Sequence, residues 1–412
     1  RKSCRGLNCP AISRSLCTLS RMEHRFTGPS YTLGVEEELM IVDSETLDLT
    51  NSIEEMLRAL QETGAAGDVK PELMESVCEI ATSPCRDAAE ARTQLAELRS
   101  TVAEVAEARG LAIGAAGTHP FAMWEDQRIV RRPRYRDLIA GLQFVARQEL
   151  IFGIHVHVGL DDPDKAIHVV NGMRVHLPVL LALSANSPFW RGQSTGMLSA
   201  RTPIFRAFPR VGIPPRYEDY ADWSRRIEFM VDSRVISDYT YLWYDVRPHP
   251  QFGTVEIRVM DSQTRLEHTV GLAALVQAMV KELAEHFESG EELSRYPYEM
   301  LDENKWLAAR HGLEGELVDL PTKERVSTRD LARRLVDRLR EHAQDLGSAN
   351  ELDAVHDLVE RGNGGSRQLV VYEANHDLRE VVSEIVEKTS PDATMPSTES
   401  MPSTESASMP IR

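Results

Sequence analysis

Gly34-Val35-Glu36-Glu37-Glu38-Leu39 is the stretch that decides the fold, because it places three carboxylates within a run of apolar residues. A β-strand turns alternate side chains to opposite faces, so Glu36 and Glu38 share one face and Glu37 lies on the other. Taken alone, an acidic run of this kind is typical of a solvated surface. The apolar neighbours instead predict a buried strand, where a carboxylate is costly unless a cation or hydrogen bonds receive it. No role is predicted for Glu37.

Three further stretches carry polar side chains in the same alternating register. Residues 72–79 hold additional glutamates, residues 153–159 read Gly-Ile-His-Val-His-Val-Gly, and residues 254–258 read Thr-Val-Glu-Ile-Arg. Alternation directs the imidazoles of one strand, and the carboxylate and guanidinium of another, toward a single cavity. Clustered Glu, His and Arg side chains are typical of sites for hard cations or polyanionic ligands. The chain is therefore predicted to be an enzyme.

His155 and His157 admit two interpretations. A single histidine on a strand is usually a satisfied core group, but two on one face indicate a metal or phosphate site. The same His-x-His pattern also begins the metal site of some zinc hydrolases. His249 and His268 are the histidines available as later zinc ligands, so a zinc-dependent hydrolase is kept as an alternative.

Glu256 and Arg258 place a carboxylate beside a permanent cation. A cross-strand salt bridge would explain this pair, but phosphoryl transfer also requires it, because charge develops on the transferred phosphate oxygens. Residues 199–203 and 208–215 add two more arginines in a segment punctuated by Pro and Gly. This segment is predicted to form a wall of the substrate site, with ordinary loop packing as the alternative.

Composition excludes several classes of protein. The 412 residues are 42% apolar and 27% charged, as in globular proteins, and the net charge of −17 argues against nucleic-acid binding. The longest apolar stretch, 175–185, is too short and too interrupted to cross a membrane. Three of the five cysteines fall in the first twenty residues, which is no disulfide framework, so the thiols are predicted to be reduced in a cytoplasmic protein.

One catalytic domain is predicted over residues 30–388. Residues 1–29 are predicted to be a disordered leader or an incorrectly assigned start, because they begin with a basic, Ser- and Cys-rich segment. Residues 389–412 are predicted to be a disordered low-complexity tail, since Met-Pro-Ser-Thr-Glu-Ser at 395–400 is repeated at 401–406. A homo-oligomer is an open alternative, because such assemblies are common among soluble enzymes.

The polar faces of the strands predict an α+β fold with a curved, mainly antiparallel sheet. The predicted strands cover residues 31–42, 72–82, 111–118, 152–160 and 254–260. The predicted helices cover residues 53–62, 87–109, 134–146, 164–184, 269–287, 331–346 and 352–362. The sequence contains no Gly-x-Gly-x-x-Gly or Walker loop, so ATP would need another kind of site.

In order along the chain, six motifs resemble those of the carboxylate-amine ligases of the glutamate-cysteine ligase type 2 family. They are Gly-Val-Glu-Glu-Glu-Leu, Pro-Glu-Leu-Met-Glu-Ser-Val-Cys-Glu-Ile-Ala-Thr, Gly-Ile-His-Val-His-Val-Gly, Ser-Ala-Arg-Thr-Pro-Ile-Phe, Phe-Pro-Arg-Val-Gly-Ile-Pro-Pro and Gly-Thr-Val-Glu-Ile-Arg-Val-Met-Asp. The resemblance covers residues 31–380. It implies a glutamine synthetase-like fold, in which the curved sheet, flanked by helices, forms an active-site funnel for ATP and an amino acid.

The resemblance also implies a reaction. ATP phosphorylates the γ-carboxylate of glutamate, and an amine displaces phosphate from the acyl phosphate, so that glutamate and cysteine give γ-glutamylcysteine, ADP and phosphate. The implied cofactors are ATP and Mg²⁺, and the partners are small molecules, with no nucleic acid and no membrane. Another amino acid or amine as acceptor is an alternative, and a non-catalytic amino-acid or nucleotide sensor is another.

Individual roles follow from the resemblance, motif by motif. The implied magnesium ligands are Glu36, Glu38, Glu79, Glu256 and His155, the last also lying at the nucleotide phosphates.

The implied catalytic residues are Arg258, which contacts the transferred phosphoryl group, and Glu256. Arg201 is implied to bind the substrate carboxylate or a phosphate of the nucleotide, because arginine suits bidentate recognition of either. Glu72 and His157 are expected to orient the ligands.

Overall fold

The computed structural model describes residues 22–63 and 69–390. The predicted leader as far as Arg21 and the tail after Ser390, with its repeat, lie outside the described residues. Thirteen strands lie within them: β1 (Leu33–Asp43), β2 (Val69–Pro71), β3 (Val77–Ala81), β4 (Leu111–Gly114), β5 (Ile154–Gly159), β6 (Phe189–Trp190), β7 (Gln193–Ser194), β8 (Val211–Gly212), β9 (Trp243–Tyr244), β10 (Val246–His249), β11 (Thr254–Ile257), β12 (Glu316–Asp319) and β13 (Glu324–Ser327).

Helices pack around these strands, and the longest of them, α9, is mostly buried. The helices of the described ranges are α1 (Ile53–Thr63), α2 (Ala88–Glu107), α3 (Pro133–Leu142), α4 (Phe144–Arg147), α5 (Pro163–Met173), α6 (Leu177–Ser184), α7 (Arg201–Phe205), α8 (Tyr220–Asp232), α9 (Leu266–Ser289), α10 (Tyr298–His311), α11 (Thr328–Asp345), α12 (Ala349–Arg361), α13 (Gly364–Asn375) and α14 (Leu378–Thr389).

Strand β1 is the centre of a seven-stranded sheet in which every pairing is antiparallel. The order is β10-β11-β5-β1-β3-β2, and β4 also pairs with β1. The register sets Glu36 opposite His155 and Glu38 opposite Glu79. Because directly opposed residues point to the same face, the charged motifs share one face of the sheet. The predicted α+β class with a mainly antiparallel sheet is confirmed.

The opposite face of the sheet is apolar and carries the main core. Val35, Leu39 and Val156 are fully buried there; helices α2 and α9 pack on the strands that carry them, and α5 packs on β10 and β11. Burying an apolar side chain of this size contributes about 1.5–3 kcal/mol. Because the apolar residues of β1 alternate with its polar ones, this burial determines which face of the sheet packs against the core. The polar face is thereby turned toward the cavity described below.

Two predicted elements are broken where the chain changes direction. The predicted strand 72–82 is a strand only over Val77–Ala81, because residues 72–76 form the connection between β2 and β3. The predicted helix 164–184 is two helices, α5 and α6. Pro178 lies in the first turn of α6, where a proline is tolerated because its missing N–H would have no helical partner.

Other predicted boundaries differ too, and the strand predicted over 111–118 ends at Gly114. The helix predicted over 134–146 breaks at Gln143, which has a positive φ of 50° and separates α3 from α4. The strand predicted over 254–260 ends at Ile257. Helix α9 begins three residues before its predicted start, at Leu266, and is mostly buried along its length.

Residues 22–29, which the sequence places in a leader, belong to the fold. Phe26 is buried, the Arg25 N–H donates to the Pro250 carbonyl at 2.8 Å, and the Met22 N–H donates to Ser224 Oγ at 2.9 Å. Thr389, predicted as the first residue of the tail, is the buried last residue of α14, and its Oγ1 accepts a hydrogen bond from the Ala115 N–H. Both predicted end segments therefore include residues that belong to the folded domain: residues 22–29 at the start and Thr389 at the end.

Across residues 22–63 and 69–390, no single helix has both the length and the apolar character of a membrane span. Helices α5 and α6 reach that length and composition only when taken together, and they are bent by 65° at their junction.

Candidate active site

The polar face of the sheet lines a cavity that encloses about 1060 Å³, part of it open to solvent. Its charged and imidazole side chains come from the sheet, from α3 and α7, and from the connections between them. They are Glu36, Glu38, Glu72, Glu79, Glu149, Glu256, Arg134, Arg201, Arg247, Arg258, His155, His157 and His249. Carboxylates outnumber guanidiniums, so the cavity calls for additional cations.

Glu36 and His155 form a direct pair across β1 and β5. The His155 Nδ1 lies 3.0 Å from Glu36 Oε2, and burial together with the charge of Arg258 lowers the pKa of His155 to about 4. The ring is therefore neutral at pH 7 and donates its Nδ1 proton to Glu36, which leaves the Nε2 lone pair free. Burial alone would raise the pKa of Glu36, but the hydrogen bond from His155 and the adjacent imidazole of His157 hold it well below its usual range.

His157 is oriented for a cation. Its Nδ1 lies 3.0 Å from Thr254 Oγ1, while its buried Nε2 has no hydrogen-bond partner among the described residues. That Nε2 lies 3.8 Å from a Glu36 oxygen and 4.0 Å from a Glu256 oxygen. One potential ligand atom from each of the three residues falls within 4.8 Å of the others. A lone pair directed at two carboxylates fits a bound divalent cation.

Glu256 is held by two arginines. Its Oε2 accepts from Arg247 Nε at 2.6 Å, and its Oε1 accepts from Arg247 Nη2 at 3.1 Å and from Arg258 Nη1. Burial would raise the pKa of Glu256, but the charges of Arg247 and Arg258 hold it well below its usual range. These three bonds use three of about four lone-pair positions on the carboxylate, so at most one is left for a metal.

A second group of carboxylates has few partners. Glu38 accepts one hydrogen bond from the Gly153 N–H at 2.6 Å, and burial plus the charge of Glu72 raises its pKa to about 7. Burial and the charge of Glu36 raise the pKa of Glu79 well above its usual range, and its only ion pair in the described structure is with Lys70 at 3.6 Å. Bound cations would remove this penalty, so the donor set fits magnesium, which prefers oxygen ligands.

Arg201 reaches the cavity from α7 and depends on a glycine. A Cβ on Gly153 would lie 2.4 Å from Arg201 Nη2, so only glycine leaves room for the guanidinium. The side chain is buried, and its bonds to the carbonyls of Arg258 and Val259 are 3.3 and 3.4 Å long. Its Nε has no partner in the described part of the chain, so this guanidinium can still bind an anion.

Aromatic side chains form part of the cavity wall. Phe205, Tyr241 and Trp243 line the cavity there. Arg210, from the loop predicted to be a substrate wall, donates to the Tyr241 carbonyl at 3.0 Å and lies over the Trp243 ring. That loop therefore supports the wall from behind.

The sequence analysis missed several cavity residues, among them Arg134, Tyr135, Glu149 and Arg247. Arg247 had a detectable pattern, because Arg247-Pro248-His249 repeats the polar alternation of the other strands. The Tyr135 hydroxyl has two acceptors within reach of its one proton, the Pro71 carbonyl at 2.9 Å and Glu72 at 3.2 Å, and Arg134 donates to Thr240. No sequence pattern marks Arg134, Tyr135 or Glu149, since α3 and the connection after α4 reach the cavity only through tertiary packing.

The histidines needed by a zinc hydrolase are dispersed. His268 lies on α9 and pairs with Asp357 at 3.0 Å, away from the cavity. His249 is at the cavity, but its ring stacks on Phe252 with the centroids 4.2 Å apart. The zinc alternative therefore lacks one of its proposed ligands.

Residues 32–386 match the family described as Glutamate-cysteine ligase family 2 (GCS2). The chain belongs to this family. A relative from Rubrobacter xylanophilus, named "Putative glutamate--cysteine ligase 2-1", is 45% identical over 372 residues, which are 90% of this chain and 98% of the relative. One from Sorangium cellulosum, named "Putative glutamate--cysteine ligase 2", is 42% identical over 87% of this chain and 96% of its own. The family resemblance is thus confirmed.

Two solved structures share the fold of this GCS2 protein. A glutamate–cysteine ligase from Francisella tularensis, in complex with AMP, superposes with a TM-score of 0.65 at 14% identity and covers 89% of each chain. A bifunctional glutathione synthetase from Pasteurella multocida gives a TM-score of 0.64 at 13% identity, over 88% of this chain and 53% of its own. Family membership makes this GCS2 protein an ATP-dependent ligase that forms C–N bonds.

Proposed function

We propose that this ligase joins the γ-carboxylate of glutamate to an amine, with cysteine as the expected acceptor and γ-glutamylcysteine, ADP and phosphate as products. The observation that carries the proposal is the Arg258–Glu256–Arg247 arrangement beside a set of partly unpartnered carboxylates. A carboxylate-rich cavity holds metal ions, and a fixed guanidinium among them suits transfer of a phosphoryl group.

In the first step, an oxygen of the γ-carboxylate attacks the γ-phosphorus of ATP, and the bond from phosphorus to the ADP oxygen breaks. The product is an acyl phosphate. Negative charge grows on the transferred oxygens, and Arg258 is the proposed partner for it. Glu256 holds this guanidinium from one side, so little reorganisation is needed during transfer.

The groups proposed to hold magnesium are Glu36, Glu38, Glu79, His155 and His157, with Glu256 contributing its remaining lone pair. Bound magnesium supplies charge neutralisation of the triphosphate. This chain's own residues prepare the site: Thr254 fixes the ring of His157, and Glu36 fixes the ring of His155. The sequence analysis expected His157 only to orient the magnesium ligands, whereas here it is proposed as a ligand itself.

In the second step, the nitrogen of the acceptor attacks the acyl carbon, the C–O bond to phosphate breaks, and the nitrogen loses one proton. Arg201 is proposed to bind the α-carboxylate of the donor, because its Nε lacks a partner within the described residues. The wall of Phe205, Tyr241 and Trp243 would exclude water from the acyl phosphate, whose hydrolysis would waste ATP.

The test measures phosphate release from ATP and magnesium with glutamate and a panel of amino acids and amines, each added singly. Release that depends on one glutamate–amine pair is expected, with cysteine as the first acceptor to try. Hydroxylamine provides a second assay, because it converts an acyl phosphate to a hydroxamate. Absence of both signals, in protein that binds ATP, would contradict the proposed donor.

We also infer a cytoplasmic location and a single catalytic domain that includes residues 22–29 and Thr389 in addition to the predicted 30–388. Cys78 and Cys85 support the location, because both are buried and unpaired with other cysteines in the described structure. Cell fractionation tests the first inference, and limited proteolysis tests the second. A homo-oligomer stays a prediction, and light scattering measures it.

A further inference from the structure

Glu149 is a cavity carboxylate to which the proposed mechanism gives no role. It follows α4, lines the same cavity as the groups above, and is partly buried. Within the described residues, no hydrogen bond or ion pair reaches its carboxylate. Each of the other five cavity carboxylates has at least one partner. Glu149 is therefore available to a ligand.

The surroundings of Glu149 favour a positively charged ligand. Burial, followed by the charges of Glu72 and Glu38, raises the pKa of Glu149 well above its usual range. The ionised form is thus destabilised until a cation arrives. Arg258 and Arg201 lower that pKa in part, so both guanidiniums act on Glu149 electrostatically, although neither forms an ion pair with it within the described structure.

Arg201 and Glu149 lack opposite kinds of hydrogen-bond partner. The guanidinium of Arg201 is buried; its terminal nitrogens make two long bonds to carbonyls, but its Nε has no acceptor within the described residues. Glu149 lacks a donor. Two opposite charges that line one cavity without meeting each other match a ligand that carries both charges. The head group of a free amino acid is such a ligand.

We propose that Glu149 binds the α-ammonium group of the donor amino acid while Arg201 binds its α-carboxylate. This inference rests on the proposed function, because it assumes a donor whose side-chain carboxylate is phosphorylated. It restricts the donor class to dicarboxylic acids with a free α-ammonium group. Glutarate, which has both carboxylates and no ammonium group, is predicted to be a poor donor.

The first experiment uses the wild-type protein, ATP, magnesium and hydroxylamine, and compares hydroxamate formation from glutamate and glutarate. Losing a charged hydrogen bond costs about 1.5–3 kcal/mol, so kcat/KM for glutarate should be lower by at least about tenfold. Equal use of the two donors would overturn the inference and leave the ligase assignment standing. No hydroxamate from glutamate would contradict the proposed donor, and the inference with it.

The second experiment compares Glu149→Gln with the wild type. The glutamate KM should rise at least about tenfold, while kcat/KM for glutarate, the ATP KM and the magnesium dependence stay unchanged. Arg201→Gln should show the matching selectivity. Its kcat/KM for glutamate should fall, whereas its kcat/KM for 4-aminobutanoate, which lacks the α-carboxylate, should be unchanged. Glu97→Gln, on the exposed face of α2, is the control and should behave as wild type.

Two results with Glu149→Gln would overturn the inference. A higher magnesium requirement with both donors would make Glu149 a metal ligand. A rise confined to the KM of the acceptor amine would place the acceptor's ammonium group at Glu149. If Glu149→Gln does not fold, Glu149→Asp keeps the charge and should retain the preference for glutamate over glutarate, and loss of that preference would count against the assignment.

Discussion

Glu37 and Arg99 form a fully buried ion pair on the apolar face of the sheet. Arg99 Nη2 donates to Glu37 Oε1 at 2.7 Å, and Arg99 Nε donates to Glu37 Oε2 at 2.9 Å. Thr269 donates a further hydrogen bond to the same carboxylate at 2.6 Å. Glu37 therefore has a structural role, joining β1 to α2 and α9, while its neighbours Glu36 and Glu38 face the cavity.

Arg99→Met should lower the free energy of unfolding by about 3–5 kcal/mol, because it leaves the Glu37 charge buried and unpaired. Urea denaturation monitored by circular dichroism measures the loss. Arg92→Met is the matched control on the same helix, since Arg92 is half-exposed and its pair with Glu267 spans 3.7 Å. The control should change stability by less than about 1 kcal/mol, and an equal loss in both variants would contradict the buried-pair argument.

Arg258→Lys should lower kcat by about 10²–10³-fold while stability changes little, because lysine keeps the charge beside Glu256 but loses the planar fork. Arg247 provides the comparison. Its donors are committed to Glu256 and to the carbonyls of Leu242 and Thr240, so Arg247→Lys should mainly lower the melting temperature. Steady-state kinetics and thermal unfolding of both variants separate the two roles. A loss of stability in Arg258→Lys together with a loss of kcat in Arg247→Lys would contradict both assignments.

Gly153→Ala should weaken donor binding in a folded protein. The new methyl group would meet the guanidinium of Arg201 and displace it from the cavity wall. We expect a rise in the glutamate KM of about tenfold, with a smaller effect on the ATP KM. Gly141→Ala is the control, because a Cβ there meets no atom within 4 Å. Unchanged glutamate kinetics in Gly153→Ala would show that Arg201 does not bind the donor.

Magnesium affinity should rise with pH through about 7. The pKa of Glu38 is raised to about 7 by burial and by the charge of Glu72, so a proton occupies this carboxyl below that pH. Metal binding must release the proton, which weakens the apparent affinity by up to about tenfold per pH unit on the acid side. Calorimetry at pH 6 and pH 8 measures the difference. Glu38→Gln should reduce the difference, while Glu79, whose pKa is also raised, keeps its own contribution, and a pH-independent affinity in the wild type would exclude Glu38 as a ligand.

The sheet could be predicted from the sequence to a useful degree because alternation is a local property. It assigned Glu36, Glu38, His155 and Glu256 to polar faces, and the structure places all four at one cavity. Register is not local, since it depends on which strands pair. The opposition of His157 and Glu256 follows from β5 lying beside β11, which no single segment encodes.

The contacts that could not be predicted from the sequence are also non-local. Arg99 is separated from Glu37 by 62 positions, so helical periodicity shows that Arg99 lies in α2 without showing its partner. Glu149 and Tyr135 reach the cavity because α3 and α4 fold across its edge. By contrast, the break between α5 and α6 has a local cause, Pro178. Hydrophobic periodicity alone does not reveal it.

The acceptors of Arg99 also impose an order on biosynthesis. Besides Glu37, its guanidinium donates to the carbonyls of Gln263, Thr264 and Thr389. The last of these does not exist until residue 389 has been translated. A nascent chain released from the ribosomal tunnel only as far as α9 would hold this guanidinium with four of its five hydrogen bonds, the bond to Thr389 still missing. We therefore expect the last hydrogen bond of this buried site to form only after α14 has been translated.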